Sequence, residues 1–417
     1  MESGTHLLVV LISAWGLGHI AEAFRLPAAV GQVLAGVLIA SSGDFLGPYI
    51  PMMAGISSSE AVIGIGEVGI FFLLLYAGIE MKPAEIASHG KEALAVAFGG
   101  VLVPLVSGFL LAWYMLPESD ARILQAFVVG VALSISAIAV AAKVFIDFNL
   151  LHHAIGRVVM AAAVIDDIIG LVLLGLLTSV IATGSLPDLP ALGILLSQVL
   201  LFFVATWLAG HYLSAAIWRF INKVHMPGMR LMALLSIALI YGQFAEMLGL
   251  HFILGPFMAG LYFSPEVVGD KEYRATDNTV NSVTKGVLGP VFFASIGLMV
   301  DPGALFEVPG FLITLLIVAM AGKLIGCGLP AWLLNGHRLT DAAAIGIGMS
   351  GRGAVELFIV NIAWQAGLFD VGKGEGYHPI VANLYSALIL TAIITTALTP
   401  LLLRLVLHQS HGRPQQE

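Results

Sequence analysis

The chain has 417 residues, 59% of them hydrophobic and 11% charged, whereas a soluble domain carries roughly a quarter charged residues, so a water-soluble globular fold is excluded. The formal net charge of -8 leaves no basic surface to neutralise a phosphate backbone, which argues against a nucleic-acid partner. Cys327 is the only cysteine, which rules out an internal disulfide and a thiolate zinc site.

Apolar runs of about 20 residues, cut wherever charges or Pro/Gly clusters interrupt them, predict an all-α membrane protein of about 13 transmembrane helices. The expected spans are 5-24, 28-42, 60-80, 90-115, 122-145, 155-182, 190-222, 228-248, 250-265, 284-300, 307-334, 341-366 and 379-407. The first span lacks a basic leader and a small-residue cleavage site, so it reads as a retained helix and not as a signal peptide. Placing the N-terminus outside puts fourteen of the eighteen Lys and Arg residues in cytoplasmic segments. Only Arg122 and Lys373 fall outside, and Lys323 and Arg352 lie within spans. The positive-inside rule favours that orientation, with a cytoplasmic C-terminus.

Two halves of the chain repeat at an offset near 220 residues. Gly31 to Gly36 matches Gly255 to Gly260, the stretch from Gly69 matches that from Gly289, and Gly130 to Ser134 matches Gly346 to Ser350. Seven crossings separate the copies, so their orientations are opposite, the arrangement of inverted-repeat secondary transporters. In the fifth span ALSISAIAV carries Ser134 and Ser136 at mid-membrane, and in the twelfth GIGMSGRGAVEL carries four glycines around Ser350. Both spans are expected to unwind, near Ser134 to Ala137 and near Ser350 to Gly353, exposing carbonyls and half-helix ends to a cation. Close helix packing alone is the competing explanation for those small residues.

Charges at membrane depth are the sharpest signal, because an ionised group there needs a partner or a function. Asp166 and Asp167 stand side by side in AAAVIDDIIGLVLL, and Lys323 lies in AMAGKLIGCGL. Successive helical residues point about 100° apart, so one aspartate can pair with Lys323 while the other faces a cavity. Arg352 and Glu356 are four residues apart and can form an ion pair, although Glu67 is an alternative partner for Arg352. Glu246 reads as interfacial. His152 and His153 fall at the cytoplasmic start of the aspartate span, as an interfacial pair or a pH sensor. No His-x-x-x-His pair, nucleophile-base pair or cofactor motif appears, so neither an enzyme nor a bound cofactor is expected.

LPAAVGQVLAGVLI, GEVGIFFLLLYAGIEM, ALSISAIAVAAKVF, AAAVIDDIIGLVLL, GPVFFASIGLMVD, AGKLIG and GMSGRGAVELFIV occur in this order across nearly the whole chain. As a set they resemble the monovalent cation:proton antiporter-2 family, in particular bacterial sodium/proton antiporters with an Asp-Asp pair. The resemblance implies the sodium/proton antiporter fold with two crossed broken helices, usually a homodimer. It divides the chain into scaffold segments 1-80 and 223-302, core segments 84-182 and 303-408, a linking helix 183-222 and a tail 409-417. By position, Asp167 is then the ion-binding carboxylate and Asp166 the partner of Lys323. Both aspartates are candidates for the Na⁺ site, with Ser134, Ser136 and Ser350 as crossover ligands and Arg352, Glu356 and Glu67 for charge compensation. Asn383 falls at the repeat position of Asp166.

The expected activity is exchange of protons for Na⁺ or Li⁺ across the inner membrane of a bacterium, serving pH homeostasis, by an elevator-type movement of the core. Asp167 holds a proton or a dehydrated cation in turn, and release of a second proton from Lys323 makes the exchange electrogenic. K⁺/H⁺ exchange on the same fold and an uncoupled cation channel are the alternatives.

Overall fold

The computed structural model describes residues 2–24, 26–46, 55–80, 90–137, 141, 145, 150, 153–183, 189–221, 226, 228–335, 337–369 and 378–411. His152, Lys373, most of the fifth span beyond Ala137 and the tail beyond residue 411 lie outside them. Every regular element among the described residues is a helix.

In chain order the main helices are α1 (Glu2–Ala23), α2 (Ala28–Leu46), α3 (Glu60–Glu80), α4 (Gly90–Met115), α5 (Arg122–Ser134), α6 (Ala154–Thr183), α7 (Leu189–Leu208) and α8 (Ser214–Ile221). They continue with α9 (Met229–Met247), α10 (Leu254–Leu261), α11 (Asp270–Val283), α12 (Gly289–Leu298), α13 (Pro309–Asn335), α14 (Leu339–Gly348), α15 (Ala354–Gln365) and α16 (Leu384–His411). π-helical turns join α7 to α8 at Ala209–Leu213 and α11 to α12 at Thr284–Leu288. Each expected span contains helix. Among the described residues seven helices are long and apolar enough to cross a bilayer, and five shorter apolar ones accompany them, α5, α14 and α15 being short because their spans are broken.

Packing sorts the helices into two groups. In one, α1, α2, α3, α9, α10, α11 and α12 pack together. In the other, α4 lies between α5 and α13, and α6, α14, α15 and α16 close around them. Helix α7 touches α6 on one side and α9 on the other. Contacts between the groups are fewer than those within them, and include α2 with α16, α15 with α3 and α12, and α6 with α10.

The repeat is visible in how the first group packs. A Cβ on Gly36 of α2 would lie 2.0 Å from the Ala294 carbonyl oxygen of α12, and one on Gly297 of α12 would lie 2.0 Å from that of Val33 of α2. Their counterparts one repeat away do the same: Gly260 of α10 meets the Leu75 carbonyl at 2.2 Å, and Gly78 of α3 meets the Phe257 carbonyl at 2.2 Å. Without a hydrophobic drive between helices in lipid, such glycines let backbones approach until dispersion forces hold them. Residues that match in sequence therefore make matching contacts, α2 on α12 and α10 on α3.

Candidate functional site

Helix α5 ends at Ser134, and Ile135 is extended (φ -88°, ψ 137°). Helix α14 ends at Gly348, and the chain stays non-helical until α15 begins at Ala354. Both interruptions fall where the sequence predicts them, and they touch: the Ala137 amide donates to the Gly351 carbonyl at 2.9 Å. A Cβ on Gly353 would stand 2.5 Å from that of Ala137, so the crossing needs glycine there for space.

The crossing is charged. Ending a helix leaves its last carbonyls unpaired, with the negative end of the helix dipole, and cations are favoured there. At α5 two cations arrive from the other half of the sequence. Lys323 of α13 donates to the Ser134 carbonyl at 2.5 Å, and Arg352 Nη1 donates to the carbonyls of Ala132 at 2.7 Å and Ile135 at 3.3 Å. Lys323 also donates to Asp166 Oδ1 at 3.1 Å, with both side chains at 0% exposure, and Asp166 Oδ2 accepts from the Ser136 amide at 2.7 Å. The Asp166 carboxylate thus ties α13 to the α5 break from its place on α6.

Asp167 is different. The residue is buried, 8% exposed, and among the described residues its carboxylate makes no hydrogen bond or ion pair. The division expected from helix geometry is present, with Asp166 as the tethered member and Asp167 as the uncommitted one. Both oxygens of Asp166 are occupied by protein donors, so in this arrangement a cation would draw on Asp167. Among the described residues no group of three or more His, Cys, Asp or Glu side chains could hold a resident metal ion.

The hydroxyls expected at the crossing divide too. Ser134 and Ser350 donate to carbonyls of their own helices, Val131 at 2.8 Å and Gly346 at 2.9 Å. The Ser136 hydroxyl is buried with no partner, so it is the one polar side chain of the three left for a ligand. Arg352 pairs with Glu356 at 3.3 Å, both 1% exposed, although the two are not aligned as a hydrogen bond. Two Arg352 nitrogens and both Glu356 oxygens are buried without hydrogen-bond partners.

Two expectations are corrected. Glu67 does not join Arg352, since Glu356 is one helical turn away and already holds it. Glu67 instead lines a separate cavity of about 530 Å³ with His251, Asn361 and Gln365 between α3, α9, α12 and α15. Asn383 is not the structural counterpart of Asp166. Asp166 lies inside α6, whereas Asn383 caps the short helix Pro379–Ala382 and donates to Glu307 at 2.8 Å. Polar identity in a matching position did not fix depth in the bundle. Of the other charges, Glu246 is at the end of α9 and accepts from Gln243 at 3.1 Å, and His153 is exposed.

Sequence reasoning missed Thr396 of α16. Its hydroxyl accepts from the Arg352 amide at 2.9 Å and donates back to the Arg352 carbonyl at 3.3 Å, satisfying the unwound backbone. The signal for it is the row Thr391, Thr395, Thr399 beside Thr396, whose other three hydroxyls bond within α16.

The profile of the family described as sodium/hydrogen exchanger, transmembrane, matches residues 7–409. The chain belongs to this family. It is similar to an Enterococcus hirae Na⁺/H⁺ antiporter, 27% identical over 402 residues that cover 95% of this chain and 96% of that one. It is also 26% identical to the Na⁺/H⁺-K⁺ antiporter GerN of Bacillus cereus, over 95% of this chain and 94% of GerN. Among solved structures the fold matches the sodium proton antiporter MjNhaP1 of Methanocaldococcus jannaschii with a TM-score of 0.72 at 17% identity, covering 98% of this chain and 99% of that one. Family membership and fold agree with the resemblance that the motifs carry, and this is a multi-pass membrane protein of the antiporter fold.

Proposed function

We propose that the protein is an antiporter that exchanges protons for a monovalent cation across the inner membrane of a bacterium, with Na⁺ as the favoured cation and Li⁺ sharing its site. The observation that carries this reading is the division of the aspartate pair: one carboxylate bound on both oxygens, its neighbour buried and free. A bare carboxylate in such surroundings is costly, so Asp167 takes up either a proton or a cation stripped of water. Holding one species at a time couples the two fluxes. An uncoupled channel would need a continuous path, and Lys323 and Arg352 at the crossing oppose cation flow through it.

In the proposed cycle α4 to α6 and α13 to α16 form the transport core, and α1 to α3 with α9 to α12 form the scaffold and homodimer contact. The contacts between these two groups, fewer than those within them, suit an elevator-type displacement of one against the other. A cation arriving at Asp167 draws Asp166 away from Lys323. Lys323, left without its counter-charge in a dry site, gives up a proton. Together with the proton leaving Asp167 this makes an electrogenic exchange of two protons per cation. Exchange of K⁺ is the second reading, favoured by the likeness to GerN, whose name includes K⁺. The N-terminus is placed outside and the C-terminus in the cytoplasm on the distribution of Lys and Arg alone.

The test is a reconstituted preparation with an internal pH dye, given Na⁺, Li⁺ and K⁺ in turn at clamped voltage. Proton movement should require the cation, respond to voltage and vanish in Asp167→Asn. Cation-driven proton flux persisting in that variant would remove the site assignment, and proton leak without any cation would point to a channel.

A further inference from the structure

A second cavity, of 310 Å³, lies where α6, α7 and α10 meet. Ile168 of α6, Val204 and Trp207 of α7, and Met258 and Leu261 of α10 line it together with Tyr262. Apart from the Tyr262 hydroxyl, the Trp207 indole N–H and the weakly accepting Met258 sulfur, these side chains offer only carbon, so water has too few partners to be held there. The outer rim is continuous with the apolar face that α7 turns away from the protein: Leu200, Leu201, Val204, Trp207 and Leu208 are all more than 40% exposed. In a bilayer that face meets lipid tails.

The surroundings of Tyr262 are built differently. A Cβ on Gly210 would overlap the Tyr262 ring at 2.2 Å, so the glycine in the π-helical turn lets the ring lie against α7. Trp207 stacks on His211 with ring centroids 5.7 Å apart, and His211 meets Tyr212 edge-on at 4.8 Å. Rings with an apolar body and a polar tip gather at the level of lipid headgroups and esters. The Tyr262 hydroxyl itself has no partner among the described residues. The groove thus combines an apolar lining with an unpartnered hydroxyl on Tyr262, the amphipathic pattern of a lipid.

We propose that this groove binds one acyl chain of a membrane phospholipid, with the ester end of that chain at the Tyr262 hydroxyl. The groove opens on the lipid-facing side of α7, beside Val204 and Trp207, and its lining is almost wholly apolar, which suits an acyl chain from the surrounding bilayer better than a polar ligand. Ile168 directly follows Asp167, so the bound chain packs against the helix that carries the uncommitted carboxylate. The inference concerns lipid binding and does not depend on which ion is exchanged.

The experiment is a fluorescence titration of delipidated protein in mild detergent with phosphatidylethanolamine brominated midway along one chain. The difference between wild type and Trp207→Phe isolates the Trp207 signal. That signal should be quenched with saturation at one lipid per protein. Val204→Phe and, from the opposite wall, Met258→Phe should each fill the groove and abolish the saturable component, and Tyr262→Phe should weaken it by about fivefold, the net worth of one hydrogen bond. Folding of each variant is checked by its helical circular dichroism. Two results overturn the proposal. One is quenching that rises without saturation and equally in wild type and both filled variants, as annular lipid gives. The other is cross-linking between copies at Val204→Cys, which would mean that a second protomer covers the groove.

Discussion

Lys323→Ala removes one half of a fully buried ion pair, and the structure allows its consequence to be worked through. At the 3.1 Å separation and an effective dielectric constant of roughly 20, the charges attract by about 5 kcal/mol, offset in the native protein by the cost of desolvating both. Losing Lys323 leaves Asp166 with the Ser136 amide as its remaining partner and leaves the Ser134 carbonyl uncapped. Removing one partner of a buried pair costs about 3–5 kcal/mol, and at about 2 °C per kcal/mol the melting temperature should fall by roughly 6–10 °C. Adding Asp166→Asn to Lys323→Ala should recover about 2–3 kcal/mol, because the orphaned charge disappears while the Ser136 amide keeps an acceptor. The remainder stays lost with the uncapped carbonyl. Melting followed by fluorescence in one detergent for wild type, both single variants and the double variant measures this coupling. A double variant that melts below Lys323→Ala, or single losses that simply add, would refute the pairing as a stabilising contact.

Other perturbations give equally direct outcomes. Asn383→Asp turns an amide donor into a second carboxylate 2.8 Å from Glu307, so it should destabilise by about 1–3 kcal/mol at neutral pH and by less in acid, read by the same melting assay at two pH values. Outside the membrane-spanning helices, burial and the nearby Glu80 charge raise the Asp277 carboxyl above its ordinary range, with Lys285 opposing. A carboxyl raised in the folded state contributes stability when protonated and loses it as pH rises through its folded value. Asp277→Asn should therefore raise the melting temperature at about pH 8 and give no gain at about pH 4. Gly353→Val places a branched side chain against Ala137 at the crossing and should abolish transport, whereas Gly286→Ala, where an added Cβ meets nothing within 4 Å, should leave it intact.

Much of the site was legible because the membrane makes charge and glycine expensive. Asp166, Asp167, Lys323, Arg352 and Glu356 stand out of apolar runs, and all but Asp167 are found in contacts at the crossing. The break at Ser350 to Gly353 was legible because glycine weakens a helix wherever it lies, and the one near Ser134 followed from it through the repeat. The role of Thr396 was not, since threonine inside an apolar helix looks the same whether it bonds its own turn or a neighbour's backbone. Nor was the place of Glu67, because an acid in a span reveals a cavity or a partner without saying which.

By itself the sequence determined that this chain lives in a membrane, that it is built twice in opposite orientations, and that its two adjacent acids cannot share one partner. Those conclusions follow from hydropathy, from the parity of the crossings and from the 100° step of a helix. Only the tertiary structure decided that Lys323 reaches Asp166 and the Ser134 carbonyl together, that Arg352 caps α5 from the facing break, and that Asn383 sits at a helix cap away from Asp166. Each depends on which distant segments touch. Local propensity carries no term for that. The choice is made when two inverted halves pack closely enough for a cation on one to meet the open end of a helix on the other.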